Sequence, residues 1–300
     1  DGSKNPIQVQ RLKEKVGNRS NSSSEAEFRD AWGLLLGEEG RGVPTIIEMA
    51  TYTRLDCCLG TSAGMRQALS QAMHHASHRS AFGARLIDQP LMRNVLADLA
   101  LETEAAATLS LRMARAFDSL DNESENAFRR LVTPAAKYWI CKRGPELAAE
   151  AMEVLGGNGY VDDGMLARIY REMPVNSIWE GSGNIMCLDL LRAFSKTPNA
   201  LQVLMAELTP ALGRHAAYDT FLGQLQRDFA DSSNIETRAR RLTQNLTLAL
   251  QASLLLQHAP DYVSDAFCRS RLAHDWGYNF GTLPANVDFA SLLNRAWPNQ

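Results

Sequence analysis

Three short stretches of this 300-residue chain carry residue types that could do chemistry. In Arg171-Glu-Met-Pro-Val-Asn-Ser-Ile-Trp-Glu-Gly-Ser-Gly-Asn-Ile-Met186, the carboxylate of Glu180 sits at a Gly-rich turn that feeds a helix. A helix start offers unpaired N–H groups and the positive end of a dipole, a setting for an anion or a carbonyl oxygen. The same carboxylate could equally do no more than complement that dipole. With no strand clearly before it, Gly181 to Met186 is a weak dinucleotide signal. Glu153-Val-Leu-Gly-Gly-Asn-Gly-Tyr160 holds glycines that let a backbone approach a phosphate, or that simply end a helix. Arg79-Ser-Ala-Phe-Gly83 puts a cation and an aromatic ring before a turn, suited to a phosphate and a stacked base, or only to capping a helix. His74 and His78 are spaced like a metal pair on a helix, but no third ligand is in view and their neighbours are polar. An exposed helical face is the expectation there, and no metal site is assigned. Cys57-Cys58 is not a CxxC motif and reads as inert thiol.

The elements that must position these stretches follow from periodicity. Ile7 and Val9 alternate with polar residues as in a strand, Asn18 to Glu25 is turn-like, and Glu25 to Leu36 resumes a strand pattern. Two strands make no stable sheet alone, so further strands of the same sheet are expected outside this chain. From Pro44 the period becomes helical, with Met65, Ala68, Leu69, Ala72, Met73 and Ala76 on one face. Met92, Val95, Leu96 and Leu99 predict a second long helix with Pro90 near its start. Thr133-Pro134 reads as the N-cap and first position of a third, ending at Gly156-Gly157. A fourth starts near Ser182, which together suggests an antiparallel four-helix bundle. Beyond Pro198, Ser233-Asn-Ile-Glu236 has the pattern of a capping box, and from Trp276 the chain reads as a tail. The expected domains are 1–41, the end of a β-domain; 42–198, the bundle; and 199–300, an appended helical domain.

Composition bounds the reading without sharpening it. The chain is 45% hydrophobic and 22% charged with a net charge of -3, ordinary for a globular protein. No run approaches eighteen apolar residues, the first residues are polar, and the five cysteines lack metal spacing. A cytoplasmic protein with reduced thiols and no membrane partner is expected.

Taken in order, Arg79-x-x-Phe82-Gly83, Gly156-Gly157-x-Gly159-Tyr160 and Trp179-Glu-Gly-Ser-Gly-Asn184 resemble the C-terminal half of the acyl-CoA dehydrogenases. The resemblance covers roughly residues 1–196, with Lys13 to Arg19 similar to the closing strands of that family's middle β-domain. Gln89-Pro-Leu-Met-Arg93, Thr133-Pro-Ala-Ala-Lys137 and Arg171 to Asp189 resemble its alkylation-response (AidB-type) branch, where similarity continues into the C-terminal helices. The resemblance implies a mainly α fold that binds FAD and an acyl-CoA substrate as a homotetramer, a dimer of dimers. It implies Glu180 as the base that removes the α-proton, its own N–H polarising the thioester carbonyl while flavin N5 takes hydride from the β-carbon. A carboxylate suits that role where its surroundings are dry, and Trp179 is expected to supply a dry wall. A subset of the family keeps its base where Thr53 stands here, which leaves Glu180 as the candidate. Arg79, Phe82 and Gly83 would contact FAD bound to a neighbouring subunit, Gly156 and Gly157 would line its phosphates, and Gly181, Ser182 and Asn184 would lie along it. Pro90 and Glu153 depart from glutamines that many relatives use toward FAD. The family's N-terminal helical domain and most of its β-domain are absent from the sequence. The AidB-type resemblance also implies double-stranded DNA as a partner, with Arg238, Arg240, Arg241, Arg269 and Arg271 as the candidate phosphate contacts. Residues 200–300 carry eight arginines, no lysine and nine acids, so a solvated helix face is the competing reading. Three classes stay open at this point: a dehydrogenase-type flavoprotein, a DNA-binding flavoprotein with little turnover, and an oligomerisation fragment.

Overall fold

The computed structural model describes residues 2–297. Strand β1 (Ile7–Leu12) pairs antiparallel with β2 (Ser24–Phe28), Ile7 opposite Phe28 and Leu12 opposite Ser24. The second strand stops well before Leu36, where Asp30 takes a positive φ of 54° and turns the chain. Both strands are solvent-exposed along nearly their whole length. The loop between them is tied to the helices. Asn18 N–H donates to the Glu172 carboxylate at 2.5 Å, and a Cβ on Gly17 would meet the Arg171 carbonyl oxygen at 2.1 Å. Glycine is needed for this close backbone approach. Gly17→Ala is therefore expected to free the 13–21 loop, read as faster amide exchange there with the long helices unchanged.

Helix α1 (Gly42–His78) leads into a hairpin of β3 (Ser80–Ala81) and β4 (Ala84–Arg85), then α2 (Pro90–Asp118) and α3 (Glu123–Val154). Short α4 (Gly157–Tyr160), α5 (Met165–Asn176) and α6 (Gly183–Lys196) follow. The expected face of α1 is buried from Met65 to Ala76, and Pro90 opens α2. The start of α3 is different from the sequence expectation. The helix begins a full ten residues before Thr133, where the Asn122 side chain accepts from the N–H groups of Ser124 and Glu125. Glu123 and Glu125 in that first turn complement the dipole. Thr133 lies inside the helix, its hydroxyl donating to the Arg129 carbonyl at 2.7 Å, and Pro134 and Pro145 are accommodated within it.

Helices α1 and α3 run parallel, since Thr61 meets Cys141 while Arg54 and Lys137 both reach one turn. Helix α2 is antiparallel to α1, with Ser62 against Ser110 at 2.9 Å and Tyr52 edge-on to Phe117. The fourth position of the bundle is filled by α5 and then α6, which pack on α3.

After Pro198 come α7 (Ala200–Leu208), α8 (Ala216–Ala230), α9 (Ile235–His258), α10 (Asp261–Phe267), a π-type turn at Cys268–Leu272, and α11 (Phe289–Ala296). Helix α9 packs against α2, α3 and α6, and its Leu246, Leu250 and Leu254 share one buried core with Leu96, Leu109 and Leu131. The expected capping box does not form. Ser233 is engaged by the Asp231 carboxylate through both its N–H and its hydroxyl, at 2.9 and 2.5 Å, and Asn234 with φ 47° precedes the helix. The tail folds back as α11, where Asp288 caps Ser291 N–H and Arg66 reaches the Ala296 carbonyl at 2.6 Å. Its last three residues, 298–300, lie outside the described residues.

One ionic cluster joins the C-terminal segment to the bundle. Arg271, on the π-type turn and buried, donates to Asp98 at 2.6 Å and to Glu102 at 3.0 Å. Arg143 adds a second cation on Glu102 at 3.1 Å, and Trp276 and the Gly281 N–H donate to Asp98. Burial works to raise the Glu102 carboxyl, but Arg143 and Arg271 outweigh it and hold the group below the usual carboxylate range. No helix among the described residues is long and apolar enough to cross a membrane.

Candidate functional site

The turn between α5 and α6 places Glu180 at φ 59° and Gly181 at φ 109°. A non-glycine residue in the left-handed region costs about 1–3 kcal/mol and persists where its surroundings over-determine it. Here Arg54 from α1 donates to the Glu180 carbonyl at 2.9 Å, and Lys137 from α3 donates to the Gly181 carbonyl at 2.9 Å. Arg54 is in turn held by Asp189 of α6 at 2.9 Å, and Arg130 meets the other oxygen of Asp189 at 2.7 Å. Burial opposes the charge on Asp189, yet Arg130 and Arg54 outweigh it and keep its carboxyl below the ordinary range.

Beside the turn, Thr53, Asp56, Cys57, Asn176, Trp179 and Glu180 line a pocket of about 280 Å³. Asn176 donates to the buried Thr61 hydroxyl at 3.0 Å, and the Thr53 hydroxyl is occupied by the Ala50 carbonyl. Burial, with Cys141 beside it, pushes the Cys57 thiol up to about 11, so the thiol is uncharged and Asp56 is the one other acid on this pocket besides Glu180. The dry wall expected of Trp179 is not formed: its ring is 36% exposed and Glu180 is half-buried, because the turn lies at the open end of the bundle.

Sequence reasoning missed Arg54, Lys137 and Asp189 as parts of this site. Their signal was present. Lys137 stands alone in an apolar run from Leu131 to Ile140, and Asp189 alone between Met186 and Leu191. A lone charge on a buried helical face must have a partner.

The other motifs collect elsewhere. Phe82 (φ 53°) and Gly83 (φ 85°) form the two-residue tip of the β3–β4 hairpin, as an I′-type turn requires. The Phe82 ring is 99% exposed, and Arg79 at the hairpin's base is exposed. Gly156, at φ 59°, and Gly157 are also exposed, with open space where a Cβ would stand. At 1.5 Å per residue, Arg79 lies about 37 Å from Arg54 along α1, and Gly156 about 28 Å from Lys137 along α3. Because α1 and α3 are parallel, both motifs sit at one end of the bundle, and Glu180, Gly181, Ser182 and Asn184 sit at the other. A single chain does not bring the two groups together.

The arginine group is also divided. Arg271 is buried against Asp98 and Glu102, which removes it from any phosphate contact. Arg238 is turned onto the carbonyls of Asp228, Asp231 and Ser233. Arg240 donates to the Asn184 side chain at 2.8 Å, and Arg269 donates to Asn286 beside Asp265 and Asp275. Arg241 alone of the five is exposed and uncommitted, on a groove between α8 and α9. The expected five-arginine patch is not formed. His74 and His78 are exposed, their rings 4.4 Å apart on the outer face of α1.

Residues 40–194 match the family described as acyl-CoA dehydrogenase, C-terminal domain. The chain is 47% identical to the AidB protein of Escherichia coli (strain K12) over 272 residues, 91% of this chain and 50% of that protein. It is 29% identical to acyl-CoA dehydrogenase family member 11 of Caenorhabditis elegans, over 87% of this chain and 46% of that one. The chain thus spans about half the length of these relatives. The crystal structure of Caenorhabditis elegans ACDH-11 in complex with C11-CoA superposes with a TM-score of 0.85 at 27% identity, covering 90% of this chain and 51% of that chain.

Proposed function

The chain belongs to the acyl-CoA dehydrogenase family, and from that membership we propose that it carries the base and half of the flavin contacts of an FAD-dependent acyl-CoA dehydrogenase. The observation that carries the reading is the Glu180 turn. A carboxylate stands on a positive-φ residue beside a pocket, with its own carbonyl held by Arg54, that of Gly181 held by Lys137, and a helix N-terminus following. Thr53, Cys57 and Trp179 give the pocket uncharged surface beside its two acids, Asp56 and Glu180, and the relative ACDH-11 is complexed with an acyl-CoA.

The residues present fit FAD. Gly156 and Gly157 leave room for close backbone approach to phosphates, Phe82 offers a free aromatic face, and Arg79 adds a cation at the same end. Gly181, Ser182 and Asn184 would lie along the cofactor near the Glu180 turn. When bound, FAD supplies the acceptor for the hydride that leaves the β-carbon of the acyl chain. Glu180 takes the proton from the α-carbon, and its backbone N–H, which has no partner among the described residues, is free to polarise the thioester carbonyl. Because the two groups of contacts lie at opposite ends of one bundle, each flavin takes them from two subunits, in keeping with a homotetramer. The 47% identity to AidB supports placing the protein in the alkylation-response group and in the cytoplasm. DNA as a partner gains no support from arginines that are spent on partners within the fold.

The test is anaerobic bleaching of the full-length flavoprotein by a panel of acyl-CoAs. Bleaching by at least one chain length is expected, and none by any member would overturn the reading. Arg79→Ala is expected to weaken FAD about tenfold or more, as loss of a charge-assisted contact to phosphate implies. Flavin retained as fully as in the parent after dialysis would refute that assignment.

A further inference from the structure

We infer that Lys137 is the positioning residue that holds the Glu180 turn in its working shape, an inference that rests on the reading of Glu180 as the base. Lys137 lies mid-way along α3, 1% exposed. Among the described residues its ammonium has one hydrogen-bond acceptor, the Gly181 carbonyl at 2.9 Å. The thiols of Cys57, Cys58 and Cys141 are near enough to feel its charge, but a thiol is a weak acceptor. An ammonium taken out of water is costly to keep, and a leucine or methionine would fill the same space without that cost. What the charge obtains in return is the orientation of a peptide plane.

Arg54 holds the Glu180 carbonyl and Lys137 holds the next one, so two successive peptide oxygens are drawn inward. In a trans peptide the N–H points away from its carbonyl, and no cis bond occurs among the described residues. The N–H groups of Gly181 and Ser182 are therefore turned outward, where they find no partner among the described residues. These two planes flank Gly181, and the first of them is attached to the Glu180 Cα, so the hold on Gly181 steadies the plane from which the Glu180 side chain leaves the turn. Arg54 shares its charge with Asp189, whereas Lys137 serves the turn alone. Lys137 touches no reacting atom. It acts through Glu180.

The experiment uses Lys137→Met in the full-length flavoprotein, alone and combined with Glu180→Gln. Amide hydrogen exchange is followed in the 176–186 peptide, with an α9 peptide as the internal reference. Loss of the one buried donor is expected to speed exchange in the turn about tenfold or more and leave α9 unchanged. The bleaching rate at saturating acyl-CoA should fall about tenfold or more while KM changes less than about threefold, since substrate contacts are intact. On the Glu180→Gln background the lysine change should cost nothing further, because both act through one group. Unchanged exchange in the turn overturns the inference, and so does a rate loss that multiplies with that of Glu180→Gln. Faster exchange in a protein that no acyl-CoA bleaches keeps Lys137 as the holder of the turn and overturns the base assignment instead. Should Lys137→Met fail to fold, Lys137→Gln takes its place under the same criteria.

Discussion

Glu180→Gln in the full-length protein is expected to slow anaerobic flavin bleaching by an acyl-CoA by about 10²–10⁴-fold, the range a positioned general base contributes. Glutamine has nearly the same shape and can occupy the φ of 59° that glutamate holds here. The contacts that fix the turn, Arg54 and Lys137, reach its backbone carbonyls and do not involve the side chain. The substitution therefore removes a proton acceptor and little else. FAD content and acyl-CoA binding should stay within about twofold of the parent, because the affinity of the contacts left intact is unaltered. Equal bleaching rates in parent and variant would show that the proton goes elsewhere. Asp56, on the same pocket wall, would be the next residue to replace.

The second large effect is on stability. Arg271→Leu leaves Asp98 and Glu102 buried with one cation fewer, and breaking a buried ionic group in this way costs about 3–5 kcal/mol. For a protein of this size that corresponds to a drop in Tm on the order of 10 °C at pH 7. Glu102 is held below the ordinary carboxylate range in the folded state by Arg143 and Arg271. A carboxyl depressed on folding stabilises fully above its unfolded value and loses that contribution as pH falls through the folded one. In the parent, this part of the stability is therefore present at pH 7 and declines below about pH 4.3. In Arg271→Leu the depression is smaller, so acid should destabilise the variant less and the two melting curves should draw together. Thermal melts at pH 7 and pH 4 measure both effects. A difference under about 2 °C at pH 7 would mean that the cluster contributes no net stability at that site.

What could be read in the residues was whatever depends on near neighbours. The periodicity of Met65 to Ala76 stated a buried face, Phe82-Gly83 a tight turn, and Trp179-Glu-Gly-Ser-Gly a loop entering a helix, since each rests on spacing within one or two turns of chain. The order of the motifs was sufficient to suggest the family. Errors arose where two local signals competed. Thr133-Pro134 has the chemistry of a helix start, but Asn122 caps earlier and burial on both sides carries the helix through the proline. Ser233 has the chemistry of a cap, but the Asp231 carboxylate two residues away takes its donors. Which of the C-terminal arginines are exposed could not be read from their neighbours. Arg271 and Arg241 are alike in sequence, yet one is buried against carboxylates more than 165 positions away in the chain and the other is free. The grip of Lys137 on Gly181 and the separation of the motifs to two ends of the bundle are of the same kind. They depend on which helices run parallel, and that is settled by packing between segments far apart in the chain, where no local preference reaches.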